Sequence, residues 1–213
     1  LWQLYDSLKA QTARFNGLPA KAGAIEMSSR SYPVPVKSIV FVGMMGAGKS
    51  AIGRRVAKRL NLDFMDADNE IESAAGCSIP DIFERHGEEA FRDGERRVIL
   101  RLLEGKVKVI ATGGGAFMNE QTRAAIKELS VSVWLRADFE ALWRRVSRRD
   151  NRPMLKTSDP RGTLKKLIDE RYPTYSGADL TVESTDGPRD ATVDWVINAL
   201  EAYWRDREAP QDD

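Results

Sequence analysis

Residues 43–50 read Gly-Met-Met-Gly-Ala-Gly-Lys-Ser, a complete G-x-x-x-x-G-K-[ST] phosphate loop. The five residues before it, 38–42, are mostly apolar and β-branched, which is typical of a buried strand. Residues 51–60 follow with apolar side chains at helical spacing. A loop between a strand and a helix can surround an anion with backbone N–H groups, and the helix N-terminus adds its dipole. We therefore predict an α/β domain that binds a nucleoside triphosphate.

Each residue type in this loop is expected to contribute to phosphate binding in a different way. The glycines let the backbone adopt conformations and approach distances that a Cβ atom would forbid. Lys49 is expected to reach the β- and γ-phosphates, and the hydroxyl of Ser50 is expected to ligate Mg²⁺.

Composition narrows the class of protein. The 213 residues are 42% hydrophobic, which suits one domain with a substantial core. The net charge of +1 argues against a general nucleic-acid binder, and no apolar run is long enough to span a membrane. The single cysteine, Cys77, suits a reducing compartment, so we expect a cytoplasmic protein. With one histidine and one cysteine there is no His/Cys zinc cluster, and any metal should be a hard cation held by oxygen.

The chain divides into three predicted parts. Residues 1–36 form an N-terminal extension: an apolar stripe of Leu1, Leu4, Tyr5 and Leu8 predicts a short amphipathic helix, and a proline-bearing linker follows. Residues 37–205 form the core, and residues 206–213 form a tail. Within the core, the polar stretch 149–160 is expected to be a mobile lid.

Strands and helices alternate along the core, which predicts a parallel sheet covered on both faces. We expect strands at 37–42, near 63–66, and at 107–111, 131–135 and 179–182, with helices at 49–60, through 67–103, and at 119–129, 138–148, 161–171 and 189–205.

Three segments follow predicted strands directly: the phosphate loop, the Asp66-Ala67-Asp68 sequence and the three glycines 113–115. Ligands of parallel sheets bind at the carboxyl ends of the strands, so these segments should converge. The two aspartates can hold Mg²⁺ or orient a hydroxyl group. Alternatively, they simply begin a helix, since aspartate is a good N-cap.

Four further features allow both a functional and a plain interpretation. Arg92 and Glu95 stand three apart on a predicted helix, where an ordinary surface ion pair is the favoured interpretation. Glycines 113–115 are costly in backbone entropy, and a loop where a ligand meets the backbone would justify them. Arg152 can cover phosphates or belong to a solvated loop. Arg171 can bind a carboxylate through two hydrogen bonds or complement a helix C-terminus.

Taken together, these segments resemble the shikimate kinase family over about residues 37–202. The specific part is an ordered set of motifs: D-A-D at 66–68, F-R-x-x-E at 91–95, G-G-G at 113–115, R-P-M-L at 152–155 and E-R-Y-P-x-Y at 170–175. The resemblance implies a P-loop NTPase of the nucleoside-monophosphate-kinase type, with a five-stranded parallel sheet flanked by helices and a mobile lid. It also implies ATP-dependent phosphorylation of the 3-hydroxyl of shikimate, on the route to chorismate and the aromatic amino acids.

The resemblance also implies roles for individual residues. Asp68 contacts the shikimate hydroxyls and orients the attacking one, Arg92 and Arg171 bind the carboxylate, and Glu95 holds Arg92. Asp66 acts on Mg²⁺ through water. The implied catalytic residues are Lys49, Asp68 and Arg152. The implied ATP-binding residues are Gly46, Ala47, Gly48, Lys49, Ser50, Ala51 and Arg152. The implied substrate-binding residues are Asp68, Arg92, Gly114, Gly115 and Arg171, and the implied metal residues are Ser50 and Asp66.

The expected partners are ATP with Mg²⁺ and shikimate, without nucleic acid or membrane, and the expected state is a monomer. Departures from the family pattern are small: Ala51 stands where many relatives have threonine, Met154 where leucine is usual, and residues 185–189 match only loosely.

Two alternatives remain. One is another small-molecule kinase of the same fold, such as a gluconate kinase, although two arginines and an aspartate suit an anionic polyol with a compact ring. The other is a nucleotide-binding regulator without catalysis, although an inert relative would be expected to lose Lys49 or Asp68.

Overall fold

The phosphate loop connects the central strand of the sheet to the first helix of the domain. The computed structural model describes residues 35–148, 155 and 157–208. Strand β1 (Ser38–Val42) is buried at every position, as expected of a strand covered on both faces. Helix α1 (Lys49–Leu60) follows the loop at once and packs Ile52 and Val56 inward.

Five parallel strands form the sheet in the order β2-β3-β1-β4-β5. The other four strands are β2 (Asp63–Asp66), β3 (Lys108–Ala111), β4 (Ser130–Arg136) and β5 (Leu180–Glu183). In the centre, Val40 of β1 pairs with Ile110 of β3 and with Ser132 of β4. Because all strands run the same way, their carboxyl ends meet at one edge of the sheet. The predicted five-stranded parallel sheet is confirmed.

Within the described ranges, six more helices cover the sheet: α2 (Ala67–Ala75), α3 (Ile79–Leu103), α4 (Glu120–Leu129), α5 (Phe139–Val146), α6 (Pro160–Tyr175) and α7 (Arg189–Glu208). Side chains cap five of them by accepting a hydrogen bond from a first-turn N–H group, and these residues are Asp66, Ser78, Asn119, Asp138 and Asp159. A short 3₁₀ turn, Ala116–Met118, follows the three glycines.

Helix α3 is bent at Gly87, whose φ of +80° and ψ of 176° interrupt the helical backbone. Glycine adopts this left-handed φ without the steric cost of a Cβ atom. Phe83 before the bend and Phe91 after it pack with ring centroids 4.7 Å apart. The segment after the bend carries Arg92 and Glu95.

Three predicted helix ends in the core are wrong. The helix expected to end at 171 continues to Tyr175 through Pro173, because that proline lies in the last turn and Tyr175 is fully buried. The last helix, expected to end at 205, runs to Glu208. Trp204 is 7% exposed and anchors the end of this helix on the core. The helix expected to end at 148 ends at Val146.

The predicted N-terminal helix and most of its linker, the larger part of the predicted lid, and Arg152 lie outside the described residues. In the part of the chain that the structure describes, no helix is long and apolar enough to cross a membrane.

Candidate active site

Two adjoining concavities lie at the carboxyl edge of the sheet. The larger one, which we call the nucleotide cleft, has a volume of about 690 Å³ and contains the phosphate loop. The smaller one, the acceptor recess, has a volume of about 300 Å³. Four residues line both: Met45, Asp68, Gly113 and Gly114. A molecule bound in one concavity therefore meets a molecule bound in the other beside Asp68.

The phosphate loop has the left-handed backbone that its glycines allow. Gly46 and Gly48 have φ angles of 83° and 94°. A Cβ atom at Gly46 would lie 2.8 Å from Val146 Cγ1, so this position is restricted by space as well as by backbone angle. Among the described residues, no side chain caps the N-terminus of α1, which leaves its first N–H groups for an anion.

Lys49 is buried at the base of the loop, where it is 8% exposed. Its Nζ atom donates to the carbonyl oxygens of Gly43 at 2.8 Å and Met44 at 2.9 Å. These contacts hold the ammonium group inside the nucleotide cleft.

The far wall of the nucleotide cleft is formed by residues that the sequence did not indicate. Arg145 on α5 donates to the Gly46 carbonyl at 3.2 Å, to Ser184 Oγ at 3.1 Å and to the Thr185 carbonyl at 2.6 Å. It also pairs with Asp186 at 3.1 Å. Arg145 therefore connects the phosphate loop to the segment that follows β5.

The two aspartates of the D-A-D motif have different positions. Asp66 is the N-cap of α2, and its Oδ1 accepts a hydrogen bond from the backbone N–H of Asp68 at 3.1 Å. The helix-start interpretation thus holds for Asp66, which also lines the acceptor recess. Asp68 lies at the junction of the two concavities, where it can face both a phosphate and an acceptor.

The half-buried Arg92 and the buried Glu95 form an ion pair at the wall of the acceptor recess. Arg92 Nη1 donates to Glu95 Oε2 at 2.7 Å, and only 4% of the Glu95 side chain is exposed. The expectation of an ordinary surface ion pair, which the spacing alone favoured, is wrong. Glu88, one turn earlier, accepts from Arg92 Nη2 at 3.1 Å. Two carboxylates therefore orient one guanidinium group.

Burial controls the protonation of Glu95. Removal from water raises the pKa of Glu95 above its ordinary value of 4.5, and the charge of Asp68 acts in the same direction, against Arg92 and Arg171. Its Oε1 has no hydrogen-bond partner among the described residues. The recess thus contains a carboxyl group whose charged form depends on the two arginines.

The three glycines after β3 make room for this pair. A Cβ atom at Gly113 would lie 2.6 Å from Glu95 Oε1, and one at Gly115 would lie 2.4 Å from Arg92 Nη1. Both distances are below any real Cβ contact. The sequence interpretation, a loop where a ligand meets the backbone, missed this reason: glycine at residues 113 and 115 leaves the space that the Glu95 and Arg92 side chains occupy.

The carbonyl oxygen of Gly114 receives two donors from α6. Arg171 Nη1 donates to it at 3.1 Å, and so does the hydroxyl of Tyr175. Arg171 is 8% exposed and lines the acceptor recess, so it does not serve merely as a cation at a helix end. Burial raises the pKa of Tyr175 to about 12, so its hydroxyl remains a proton donor at any working pH.

Oxygen donors suited to Mg²⁺ lie on both sides of the junction. Ser50 lines the nucleotide cleft and Asp66 lines the acceptor recess. Among the described residues, no group of three or more His, Cys, Asp and Glu side chains is placed to hold a metal. Mg²⁺ usually takes one or two protein oxygens and completes its shell with water and phosphate oxygens. The residues present fit that pattern.

The structure brings most of the predicted site residues together. The nucleotide cleft is lined by Gly46, Gly48, Lys49, Ser50 and Ala51, whereas Ala47 is fully buried beneath it. The acceptor recess is lined by Asp66, Asp68, Arg92, Glu95, Gly114, Gly115 and Arg171. Arg152 lies outside the described residues.

Sequence reasoning missed Arg145, Ser184 and Tyr175. Nothing in the sequence distinguishes Arg145 from the neighbouring arginines of α5. Ser184 could have been found, because it follows directly on a parallel strand, at the edge where ligands bind. Arg189, the last residue of the loosely matching segment 185–189, lines the nucleotide cleft.

A family model and curated relatives of high identity point to the same family. The family model described as "Shikimate kinase" matches residues 45–201. A shikimate kinase of Bradyrhizobium diazoefficiens is 59% identical over 175 residues, covering 82% of this chain and 84% of that protein. A shikimate kinase of Rhodopseudomonas palustris is 58% identical over 167 residues, covering 78% and 82%.

A solved structure of a shikimate kinase has a similar fold. The shikimate kinase of Acinetobacter baumannii in complex with shikimate superposes with a TM-score of 0.76 at 36% identity, covering 82% of this chain and 97% of that one.

Proposed function

The chain belongs to the shikimate kinase family, and from that premise we propose that it transfers the γ-phosphoryl group of ATP to the 3-hydroxyl of shikimate. The observation that carries this proposal is the junction of the two concavities. The cleft that contains the phosphate loop adjoins a recess lined by the buried Arg171 and the half-buried Arg92. Asp68 lines both concavities.

On the nucleotide side, the phosphate loop and the N-terminus of α1 bind the phosphates through backbone N–H groups. Lys49 places a positive charge where negative charge develops on the transferring group. Phosphoryl transfer needs mainly positioning and electrostatic stabilisation, and this loop offers both. Arg152 is proposed from the sequence resemblance alone as a second cation over the phosphates.

On the acceptor side, Arg92 and Arg171 bind the carboxylate of shikimate. Guanidinium groups suit this task because they remain charged and can donate two parallel hydrogen bonds to a carboxylate. The carboxylates of Glu95 and Glu88 hold Arg92 in place before the substrate arrives. Preorganisation of this kind reduces the entropy lost on binding.

Asp68 acts between the two substrates. Its position at the junction suits a carboxylate that accepts a hydrogen bond from the attacking hydroxyl and orients it toward the γ-phosphorus. A loose transition state requires little early deprotonation, so orientation is its main role. Ser50 and, through water, Asp66 would hold Mg²⁺, which would supply positive charge that neutralises the phosphate oxygens.

A coupled assay of ADP release tests the proposal. With Mg²⁺ and ATP, we expect turnover with shikimate and little or none with quinate or gluconate. Turnover with gluconate instead of shikimate would favour another kinase of this fold. ATP binding without turnover of any of these acceptors would favour a regulator.

Lys49→Ala tests the nucleotide side. We expect kcat to fall by about a hundredfold or more, because a preorganised cation on the transferring group is lost. Lys37→Ala is the control, since that exposed lysine also donates to a backbone carbonyl, of Glu128, at 2.6 Å. Equal activity of the two variants, with equal melting temperatures, would contradict the role of Lys49.

A further inference from the structure

The hydroxyl of Ser184 makes a directed contact with the phosphate loop. Ser184 Oγ lies 2.8 Å from the carbonyl oxygen of Ala47 and 3.1 Å from Nη1 of Arg145. Arginine can only donate hydrogen bonds, so the single hydroxyl hydrogen of Ser184 must point at Ala47. The polarity of the chain from Arg145 through Ser184 to Ala47 is therefore determined without ambiguity.

Ser184 is well placed to hold the loop still. It is 6% exposed, and its backbone N–H donates to the carbonyl oxygen of Arg136 at 2.6 Å, which continues the pairing of β5 with β4. The hydroxyl thus projects from the end of the sheet. A donor fixed to the sheet imposes a direction on the carbonyl group that it binds.

The direction of that carbonyl determines the direction of the next N–H group. In a trans peptide the C=O and N–H bonds point in opposite directions. The Ala47 carbonyl points at Ser184, so the N–H of Gly48 points away from Ser184. Gly48 lines the nucleotide cleft, and its φ of 94° gives this peptide freedom to turn that an ordinary residue lacks.

We propose that Ser184 is a positioning residue for the phosphate loop: its hydrogen bond to Ala47 aims the N–H group of Gly48 at the bound phosphates. Arg145 supports it from the other side and holds the neighbouring carbonyl of Gly46. This inference rests on the proposed binding of ATP phosphates to the loop. It adds a residue 137 positions away from Ala47 in the sequence to the machinery of that loop.

Ser184→Ala tests the inference, with Ser184→Thr as the variant that keeps the hydroxyl. Loss of the hydrogen bond should raise the KM for ATP about three- to tenfold and leave the KM for shikimate unchanged. Threonine should restore most of the loss. Inorganic tripolyphosphate, used as a competitor of ATP, should lose affinity in Ser184→Ala by a similar factor, because the defect concerns phosphates and not the base.

Ser130→Ala is the matched control. Ser130 is a buried serine whose hydroxyl also donates to a backbone carbonyl, of Ile126, at 2.5 Å, away from both concavities. It should lose comparable stability with no change in the KM for ATP.

Four results would overturn the inference: an unchanged KM for ATP in Ser184→Ala, an equal rise for both substrates, unchanged inhibition by tripolyphosphate, or an equal effect in Ser130→Ala. The wild-type assay keeps the two proposals separate, since an inactive wild-type protein would contradict the proposed function itself.

Discussion

At the scale of single residues, the acceptor recess depends on hydrogen bonds to one carbonyl oxygen. Arg171 and Tyr175, one helical turn apart on α6, both donate to Gly114. Two donors on one oxygen fix the peptide that follows and keep the Arg171 side chain at the recess wall. The phenol of Tyr175 serves as a neutral donor, since its pKa is raised to about 12.

Tyr175→Phe removes one of these donors and keeps the packing. We expect the KM for shikimate to rise by a factor that corresponds to about 0.5–1.5 kcal/mol, with little change in the KM for ATP. Tyr172→Phe is the control, because that hydroxyl donates to Ala137 and does not line either concavity. Steady-state kinetics of both variants checks the prediction, and a selective rise in the KM for ATP would contradict it.

Glu95 makes stability depend on pH. Its pKa is raised by burial, so the folded protein holds this proton more tightly than the unfolded chain. The resulting stabilisation is fully present below the ordinary value of 4.5 and is lost as pH rises through the raised pKa. This sign is opposite to that of a carboxylate whose pKa is lowered by an ion pair.

Glu95→Gln should remove that contribution. We expect the free energy of unfolding of the wild type, relative to the variant, to fall as pH increases from 4.5 toward neutrality. Urea unfolding at a series of pH values measures it. Glu89→Gln, an exposed position on the same helix, is the control and should show no such trend. A relative stability that rises with pH would mean that Arg92 outweighs burial.

At the scale of elements, the glycine segment after β3 and the bent helix α3 fit together side by side. The absence of Cβ atoms at residues 113 and 115 lets Glu95 and Arg92 reach the recess wall. Neither glycine has the positive φ that would require glycine for backbone reasons. The space that these glycines leave is occupied by side chains of the neighbouring helix.

Gly115→Ala should therefore displace Arg92, since the new Cβ would lie 2.4 Å from its Nη1. Because the end of the Arg92 side chain can move aside, we expect little loss of stability. The main effect should be a rise in the KM for shikimate of up to about tenfold, since a charge-assisted hydrogen bond to its carboxylate is weakened. Gly177→Ala is the control, because its Cβ would meet its nearest neighbour, the carbonyl oxygen of Thr174, at an ordinary 3.4 Å. Equal kinetic effects of the two substitutions would show that displacement of Arg92 is not the cause.

The end of α6 shows how packing overrides a local signal. Pro173 predicts a helix end near 171, because proline lacks an N–H and disfavours the preceding turn. The helix continues because burying Tyr175 and bonding its hydroxyl to Gly114 stabilise the last turn. The sequence predicted this helix, but its last turn depends on the contact of Tyr175 with Gly114.

At the scale of the whole molecule, the described residues contain the sheet, both concavities and all predicted site residues except Arg152. Domain boundaries remain a prediction: an N-terminal extension over 1–36 that takes no part in catalysis. The stripe of Leu1, Leu4, Tyr5 and Leu8 suits docking on a protein surface.

Deleting residues 1–35 should leave kcat/KM for shikimate nearly unchanged, with at most a modest loss of stability. A tenfold fall, which equals about 1.4 kcal/mol of transition-state stabilisation, in a truncated protein that still melts cooperatively would show a role in function. Light scattering on the full-length and truncated proteins tests the expected monomer and any shift in oligomeric state.

The sequence alone determined the features that are local in the chain. The phosphate loop, the alternation of strands and helices, and the position of polar residues directly after strands all depend on residues within a few positions of one another. Those patterns predicted the parallel sheet and the convergence of the segments that follow its strands. Together with the order of the motifs, they also indicated the family.

Tertiary structure decided which side chains are buried and which distant residues are in contact. These residues meet only after the strands have taken their order in the sheet. The spacing of Arg92 and Glu95 is the same whether the pair is exposed or buried, and only the packing of α3 beside the segment after β3 decides between the two. Ser184 reaches Ala47 because β5 lies beside β4 at the sheet edge, across 137 positions of sequence. Such contacts cannot be predicted from the periodicity of the sequence. They join segments that are distant in the chain, and their free energy comes from packing and burial between those segments.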